Sequence, residues 1–239
     1  MKSILITGAS AGIGRATARR FLAEGWCVGL MARRRDALED LAEGFENAVI
    51  LPGDVTCETD VEDSVTTFLE RAGRLGVLFN NAGMFGPTSL IDEMHYDEWR
   101  KVVDVNLHGM FLAARAAFRA MRAQDPQGGR IINNGSISAH APRDMSIAYT
   151  TTKHAITGMT KSLSLDGRAF DIACGQIDIG NARTDLLDGL IQRNPDNPPP
   201  VMDVSHVADA VFQMATLPPE ANVQFMTIMA TKMPFVGRG

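Results

Sequence analysis

Residues 3–14 read SILITGASAGIG: a short apolar run, Ser3–Thr7, then the turn Thr7-Gly8-Ala9-Ser10-Ala11-Gly12-Ile13-Gly14. A short apolar run bounded by glycine predicts a strand, and the segment from about Ile13 to Glu24 predicts a helix. Glycines between a strand and a helix let backbone approach a pyrophosphate. The anion then rests at the helix N-terminus, where free amide hydrogens and the helix dipole favour negative charge. Tight strand-to-helix turns also need glycine for steric reasons alone. The triplet gains its meaning from its place inside a β-α-β unit.

Outward from this turn, short apolar runs alternate with longer amphipathic ones, the pattern of a parallel sheet covered by helices on both faces. Further strands are expected at Cys27–Met31, Val49–Leu51, Val77–Asn80, from Arg130 to Asn133, at Ile172–Ile179 and at Val223–Ile228. Helices are expected from Asp36 to about Gly44 and over Thr59–Arg71, Asp97–Arg122, Ala148–Phe170 and His206–Thr216. Asp97–Arg122 reads as one long helix with Val102, Val105, Phe111, Leu112, Phe118 and Met121 on its apolar faces. Only Asn194–Pro200 (NPDNPPP) reads as irregular, because its prolines cannot sit inside a helix. With no composition break or repeat, residues 1–239 are expected to form a single α/β domain with a seven-stranded parallel sheet.

The 239 residues are 45% hydrophobic and 21% charged, with a net charge of −5, so the chain lacks the basic excess of a nucleic-acid or anionic-membrane binder. Cys27, Cys57 and Cys174 are isolated and odd in number. That pattern fits a reducing cytoplasm, not a disulfide framework or a metal cluster. The start MKSILITGAS reads as a first strand and not a signal peptide, and no apolar stretch is long enough to cross a membrane. The five histidines are scattered without metal-ligand spacing. His140 alone is placed to line a pocket, just after the fifth strand.

The end of the second strand bears on which nucleotide binds. A carboxylate there would hydrogen-bond the ribose hydroxyls and repel a 2′-phosphate. The chain instead has Ala32-Arg33-Arg34-Arg35, and the fork of a guanidinium matches phosphate oxygens. Arg33 and Arg34 therefore favour NADP over NAD, beside the plainer reading of a solvated helix start. Farther along, Tyr149 and Lys153 stand four apart in SIAYTTTKHAITGMTKSL, on one face of a helix. A lysine ammonium so placed is expected to lower a phenol pKa that is ordinarily ~10, making Tyr149 a proton donor and acceptor near neutral pH.

Taken in order, these motifs resemble the short-chain dehydrogenases/reductases, over nearly the whole chain. TGASAGIG at 7–14 looks like the family's cofactor motif, implying contacts from Gly8, Ser10, Gly12, Ile13 and Gly14. Asp54, with Val55 beside it, matches the aspartate that contacts the adenine. Asn80-Asn81-Ala82-Gly83 looks like the family's NNAG motif, placing Asn81, Ala82 and Gly83 along the cofactor. Asn106 in DVNLHGMF matches the asparagine of the catalytic tetrad. Ser136 in NGSISA lies thirteen residues before Tyr149, the family's usual separation. The resemblance implies a doubly wound Rossmann fold and hydride transfer between a nicotinamide cofactor and a carbonyl or secondary alcohol of a small molecule.

In the roles it implies, Tyr149 is general acid and base. Lys153 tunes it and bonds the nicotinamide ribose, Ser136 polarises the carbonyl, and Asn106 holds a water that links Lys153 to solvent. Ser138, two residues too close to Tyr149, is assigned to shaping the pocket. After the sixth strand the chain reads Ile179-Gly180-Asn181-Ala182-Arg183-Thr184, with isoleucine where many members carry proline. Ile179 and Gly180 are still expected at the nicotinamide and Thr184 at its amide or the pyrophosphate. Residues 184–205 form the expected substrate loop, and Leu186, Leu187, Leu190 and Ile191 make a stripe that closes over a substrate or docks a short helix. The resemblance also implies a homodimer or homotetramer. The alternative reading is a catalytically silent NADP-binding regulatory or structural protein, but such relatives lose the tyrosine or the lysine, and both are present here.

Overall fold

In the computed structural model, which describes residues 2–184, 187 and 198–236, the first strand is completely buried, as expected of a strand covered on both faces. The seven strands are β1 (Ser3–Thr7), β2 (Cys27–Ala32), β3 (Ala48–Pro52), β4 (Val77–Asn80), β5 (Gly129–Asn134), β6 (Ile172–Ile179) and β7 (Phe225–Ile228). They form one parallel sheet in the order β3-β2-β1-β4-β5-β6-β7. The order reverses between β1 and β4, which opens a crevice beyond their carboxyl ends, the place where doubly wound sheets take ligands.

Successive residues point to opposite faces, and two cores result. Ile4, Ile6, Val28, Leu30, Phe79 and Ile132 meet α1 (Gly12–Ala23) and α7 (Val204–Thr216) on one face. There Phe21, Trp26 and Phe212 pack ring to ring at 4.9–6.1 Å. On the other face Leu5, Met31, Leu78 and Ile131 pack against α3 (Glu58–Ala72) and α5 (Met110–Ala123). Phe68 in α3 is fully buried there, worth about 1.5–3 kcal/mol for a side chain of that kind. The buried Arg130 of β5 donates to Asn222 Oδ1 and Ala221 O, holding the connection between α7 and β7 against the sheet.

The remaining helices are α2 (Arg35–Ala42), α4 (Tyr96–Val103) and α6 (Ile147–Asp166). The expected strands are all present, β7 two residues shorter at its start. The expected helix over Asp97–Arg122 is not continuous: α4 and α5 are joined by a π-helical turn over Asp104–Gly109. The wider turn lets the Asn106 side chain bond Met84 while Val102 and Met110, on either side, both stay buried. The expected helix over Ala148–Phe170 ends at Asp166 and tightens into a 3₁₀ turn, Gly167–Phe170. Leu187 is buried, while Leu186, Leu190 and Ile191 of the expected stripe, and residues 194–197 of the proline-rich segment, lie outside the described residues. No helix among the described residues is long and apolar enough to cross a membrane.

Candidate active site

The turn after β1 is built as the glycines require. A Cβ on Gly14 would stand 2.3 Å from the Gly8 carbonyl oxygen, so only glycine lets α1 start directly beneath the turn. Asn81 fixes the turn from β4: its Nδ2 donates to Thr7 O at 2.9 Å and its backbone N–H to Thr7 Oγ1 at 2.9 Å. The Asn81 Oδ1 also accepts from Asn134 Nδ2 at 2.8 Å, tying the glycine turn to the end of β5. Backbone held this open beside a helix N-terminus fits a dinucleotide pyrophosphate. At the tip of β2, Arg34 Nη2 lies 3.3 Å from both the Ser10 carbonyl and its hydroxyl, so its guanidinium sits on the glycine turn. Arg33 is exposed, 4.0 Å from Asp54 Oδ2, and Asp54 Oδ1 accepts from Thr56 in its own turn.

A cleft of about 650 Å³ runs from this arginine pair to the ends of β5 and β6. All of the residues that the resemblance assigns to catalysis or cofactor binding line it except Gly14, which lies under the turn, and Asn106, which lies behind Met84. The Asn106 side chain is engaged on every side: Oδ1 accepts from Met84 N, and Nδ2 donates to Met84 O and Thr152 Oγ1. It therefore braces the residue next to Lys153, and the water-holding link expected of it is not a matter of a free side-chain amide.

At the far end Ser136, Tyr149 and Lys153 converge. Lys153, buried, donates from Nζ to the Asn134 carbonyl at 2.7 Å, and Nζ lies 5.5 Å from the Tyr149 ring centroid. Burial pulls the Lys153 pKa down to about 8, because the ammonium has little water around it. The expectation that Lys153 lowers the Tyr149 pKa is corrected here. Burial dominates and raises the phenol above its ordinary value, and the opposing influences are hydrogen bonding with Ser136 and the positive charge of Arg143. With its pKa near 8, Lys153 has already lost its charge at the higher pH where Tyr149 would give up its proton.

Ser136 is held from beneath by a carboxylate that sequence reading did not single out. Asp178, fully buried in β6, accepts from Ser136 N at 2.9 Å and Gln176 Nε2 at 2.7 Å through Oδ1, while its Oδ2 lies 2.8 Å from His140 Nε2. His140, expected to line the pocket, is turned to this carboxylate and lies outside the cleft lining. Gly135 makes room for the arrangement, since a Cβ there would meet Asp178 Oδ1 at 2.1 Å. Ser138, assigned to shaping the pocket, donates its backbone N–H to Ser136 Oγ at 3.1 Å. Phe85 and Arg143 were also missed. The Phe85 ring stands 4.8 Å from that of Tyr149, and Arg143 lies over Phe85. The one available signal, an arginine six residues before the tyrosine, carries no meaning until the loop is folded.

Comparison with known proteins bears on this geometry. A family model described as short chain dehydrogenase matches residues 2–194. A 3beta-hydroxysteroid dehydrogenase of Mediterraneibacter gnavus is 31% identical over 191 residues, covering 78% of this chain and 68% of the relative. Among solved structures, a 3-ketoacyl-(acyl-carrier-protein) reductase from Brucella melitensis complexed with NADH superposes with a TM-score of 0.89 at 24% identity, over 96% of this chain and 97% of that one. ElxO with NADP bound superposes with a TM-score of 0.86 at 25% identity, over 95% and 96%. Neighbours thus hold either nicotinamide cofactor on this sheet. Family match, relative and cleft agree, and the chain belongs to the short-chain dehydrogenase family, whose NAD(P)-dependent hydride transfer on alcohols and carbonyls it shares.

Proposed function

We propose that this chain reduces a carbonyl, or oxidises the corresponding secondary alcohol, of a small molecule, with Tyr149 as proton donor and acceptor and NADP as the preferred cofactor. The observation that carries the reading is the convergence of Ser136, Tyr149 and Lys153 at one end of a cleft whose other end is the glycine turn. The nicotinamide, when bound, supplies or accepts the hydride. A carbonyl oxygen gaining negative charge needs a proton and a donor at hand. Tyr149, its pKa raised by burial, is protonated at neutral pH and holds that proton ready. Ser136, fixed by Asp178, offers its hydroxyl to the same oxygen. Lys153, with its pKa near 8, exchanges protons close to neutrality, and its Nζ, held at the Asn134 carbonyl, would hold the nicotinamide ribose of a bound cofactor.

The NADP preference rests on Arg34 over the glycine turn and exposed Arg33 beside it, two guanidiniums with donors left over to meet a 2′-phosphate. Association into a homodimer or homotetramer accords with Phe111 and Leu165, half or more exposed on α5 and α6, and with Phe225 on the edge strand β7. The test is a panel of aldehydes, ketones and secondary alcohols followed by cofactor absorbance, with NADPH and NADH in parallel. Turnover that falls about 10²–10⁴-fold in Tyr149→Phe, with cofactor binding retained, is the expected result. Undiminished turnover in that variant rejects the assigned proton transfer.

A further inference from the structure

We infer that the substrate of this site carries an anionic group, a carboxylate or a phosphate, bound by Arg143. The inference deepens the proposed reading and rests on it. Arg143 belongs to the segment between β5 and α6 and lines the cleft beside Tyr149. Two contacts fix its guanidinium. Nη2 donates to Asn181 Oδ1 at 3.2 Å, and its central carbon stands 5.9 Å from the centroid of the Phe85 ring. Asn181 is itself held, its Nδ2 donating to the Pro200 carbonyl at 3.1 Å. A guanidinium has five N–H donors, and the Asn181 bond engages only one of them.

Among the described residues no carboxylate lies within ion-pair distance of Arg143. Asp144, its exposed neighbour in the chain, makes no ion pair with it, and Asp178 has both oxygens engaged by Ser136, Gln176 and His140. Of the described residues lining the cleft, Asp54 is the one acid, and it belongs to the nucleotide end, where Thr56 and Arg33 surround it. Among the described lining residues the catalytic end thus presents Arg143 and Lys101 and no carboxylate, Asp178 being engaged beneath Ser136. The positive charge of Arg143 already acts on Tyr149, so it lies within electrostatic reach of the reacting oxygen. The cofactor phosphates have their own partners in the glycine turn and the Arg33–Arg34 pair, which leaves Arg143 for the substrate. Phe85, Met84 and Leu187 supply apolar walls between. A fork of this kind binds carboxylate or phosphate through two parallel hydrogen bonds.

The experiment compares matched pairs: 2-oxobutanoate and 3-oxobutanoate with their methyl esters, and dihydroxyacetone phosphate with dihydroxyacetone. Each is assayed by NADPH and NADH consumption in wild type, Arg143→Gln and Arg143→Lys. In at least one pair the wild type should favour the anion in kcat/KM by tenfold or more. Arg143→Gln should collapse that ratio about 10–100-fold, mostly through KM, the size of one lost charge-assisted contact. Arg143→Lys, keeping the charge without the fork, should recover part of it. Thermal midpoints and cofactor affinity confirm that the variants are folded. The carboxylate and phosphate pairs tell the two anions apart. Turnover with no preference for the anion in any pair, or a preference that Arg143→Gln leaves intact, overturns the inference and keeps the proposed reading. No turnover of any compound with either cofactor overturns both.

Discussion

The two halves of the sheet build their shares of the site from different material. In the nucleotide half, β1, β2 and β3 place mainly apolar side chains in the sheet, and the polar surface is backbone from the glycine turn plus the arginines Arg33 and Arg34. In the catalytic half, β4, β5 and β6 bury Asn80, Asn133, Asn134, Gln176 and Asp178 within the sheet itself. These are linked: Asn80 to Asn133, Asn133 to Thr160 of α6, Thr160 to Gln176, Gln176 to Asp178, and Asp178 to Ser136. A buried polar chain of this kind is stable only when each member has its partner, because an orphaned donor away from water costs about 1–3 kcal/mol. One half presents backbone and exposed side chains to the ligand. The other is rigid, and its rigidity is what holds Ser136 and Lys153 in place.

That contrast can be broken most directly at Asp178. Asp178→Ala leaves the Ser136 amide and one of the two Gln176 Nε2 hydrogens without an acceptor, the other keeping Thr157 Oγ1. We expect a loss of about 3–5 kcal/mol, read as a thermal midpoint roughly 10 °C lower. Turnover should fall with it, since Ser136 loses its anchor. A midpoint within 2 °C of wild type, on the order of 1 kcal/mol or less, would mean that the chain does not bear on stability.

A second probe is Lys153, whose pKa in the folded chain is lowered from 10.5 to about 8. Between those values the unfolded chain binds the proton that the folded chain has released, so stability rises with pH by up to roughly 3 kcal/mol. Tyr149, raised above 10.0, acts oppositely at the alkaline end, and the buried thiols of Cys27 and Cys174, raised from 9.0, also oppose it. The lysine is therefore read as the difference between wild type and Lys153→Met in urea midpoints from pH 7.5 to 9.5. Over that interval the stability of wild type relative to Lys153→Met should rise. Parallel curves for the two proteins would refute the buried-ammonium account.

The smallest effect belongs to the nucleotide half. Arg34→Ala should weaken NADPH binding about tenfold, leave NADH nearly unchanged and not move the melting temperature, because an exposed guanidinium contributes little to folding. Arg33→Ala should do less. Equal losses for both cofactors would show that Arg34 supports the turn and does not read a 2′-phosphate. Such a result would also draw the two halves closer together than their structures suggest.

The same division explains which features were legible. The strands read clearly because runs buried on both faces are nearly all apolar, and β4 and β6 fall where the sequence places them. The glycine turn reads clearly because its demands are local: Gly14 must be glycine on account of Gly8, six residues away. The π-turn at Asn106 did not read, because nothing in DVNLHGMF differs from helix until Met84 arrives to bond its side chain. Asp178 looked like one more residue in an apolar strand, and its purpose is visible only with Ser136, forty-two positions earlier, beside it.

By itself, then, the sequence determined the sheet and the glycine turn, which depend on periodicity and local sterics, and its ordered motifs point by resemblance to Ser136, Tyr149, Lys153 and Asn106 as the proposed catalytic set. Tertiary structure alone decided how those groups are tuned. It made burial, rather than the lysine one turn away, the main influence on Tyr149, it set Asp178 beneath Ser136, and it brought Arg143 to the cleft with Phe85 under it. Desolvation and charge act through space, and distance through space is not written in distance along the chain.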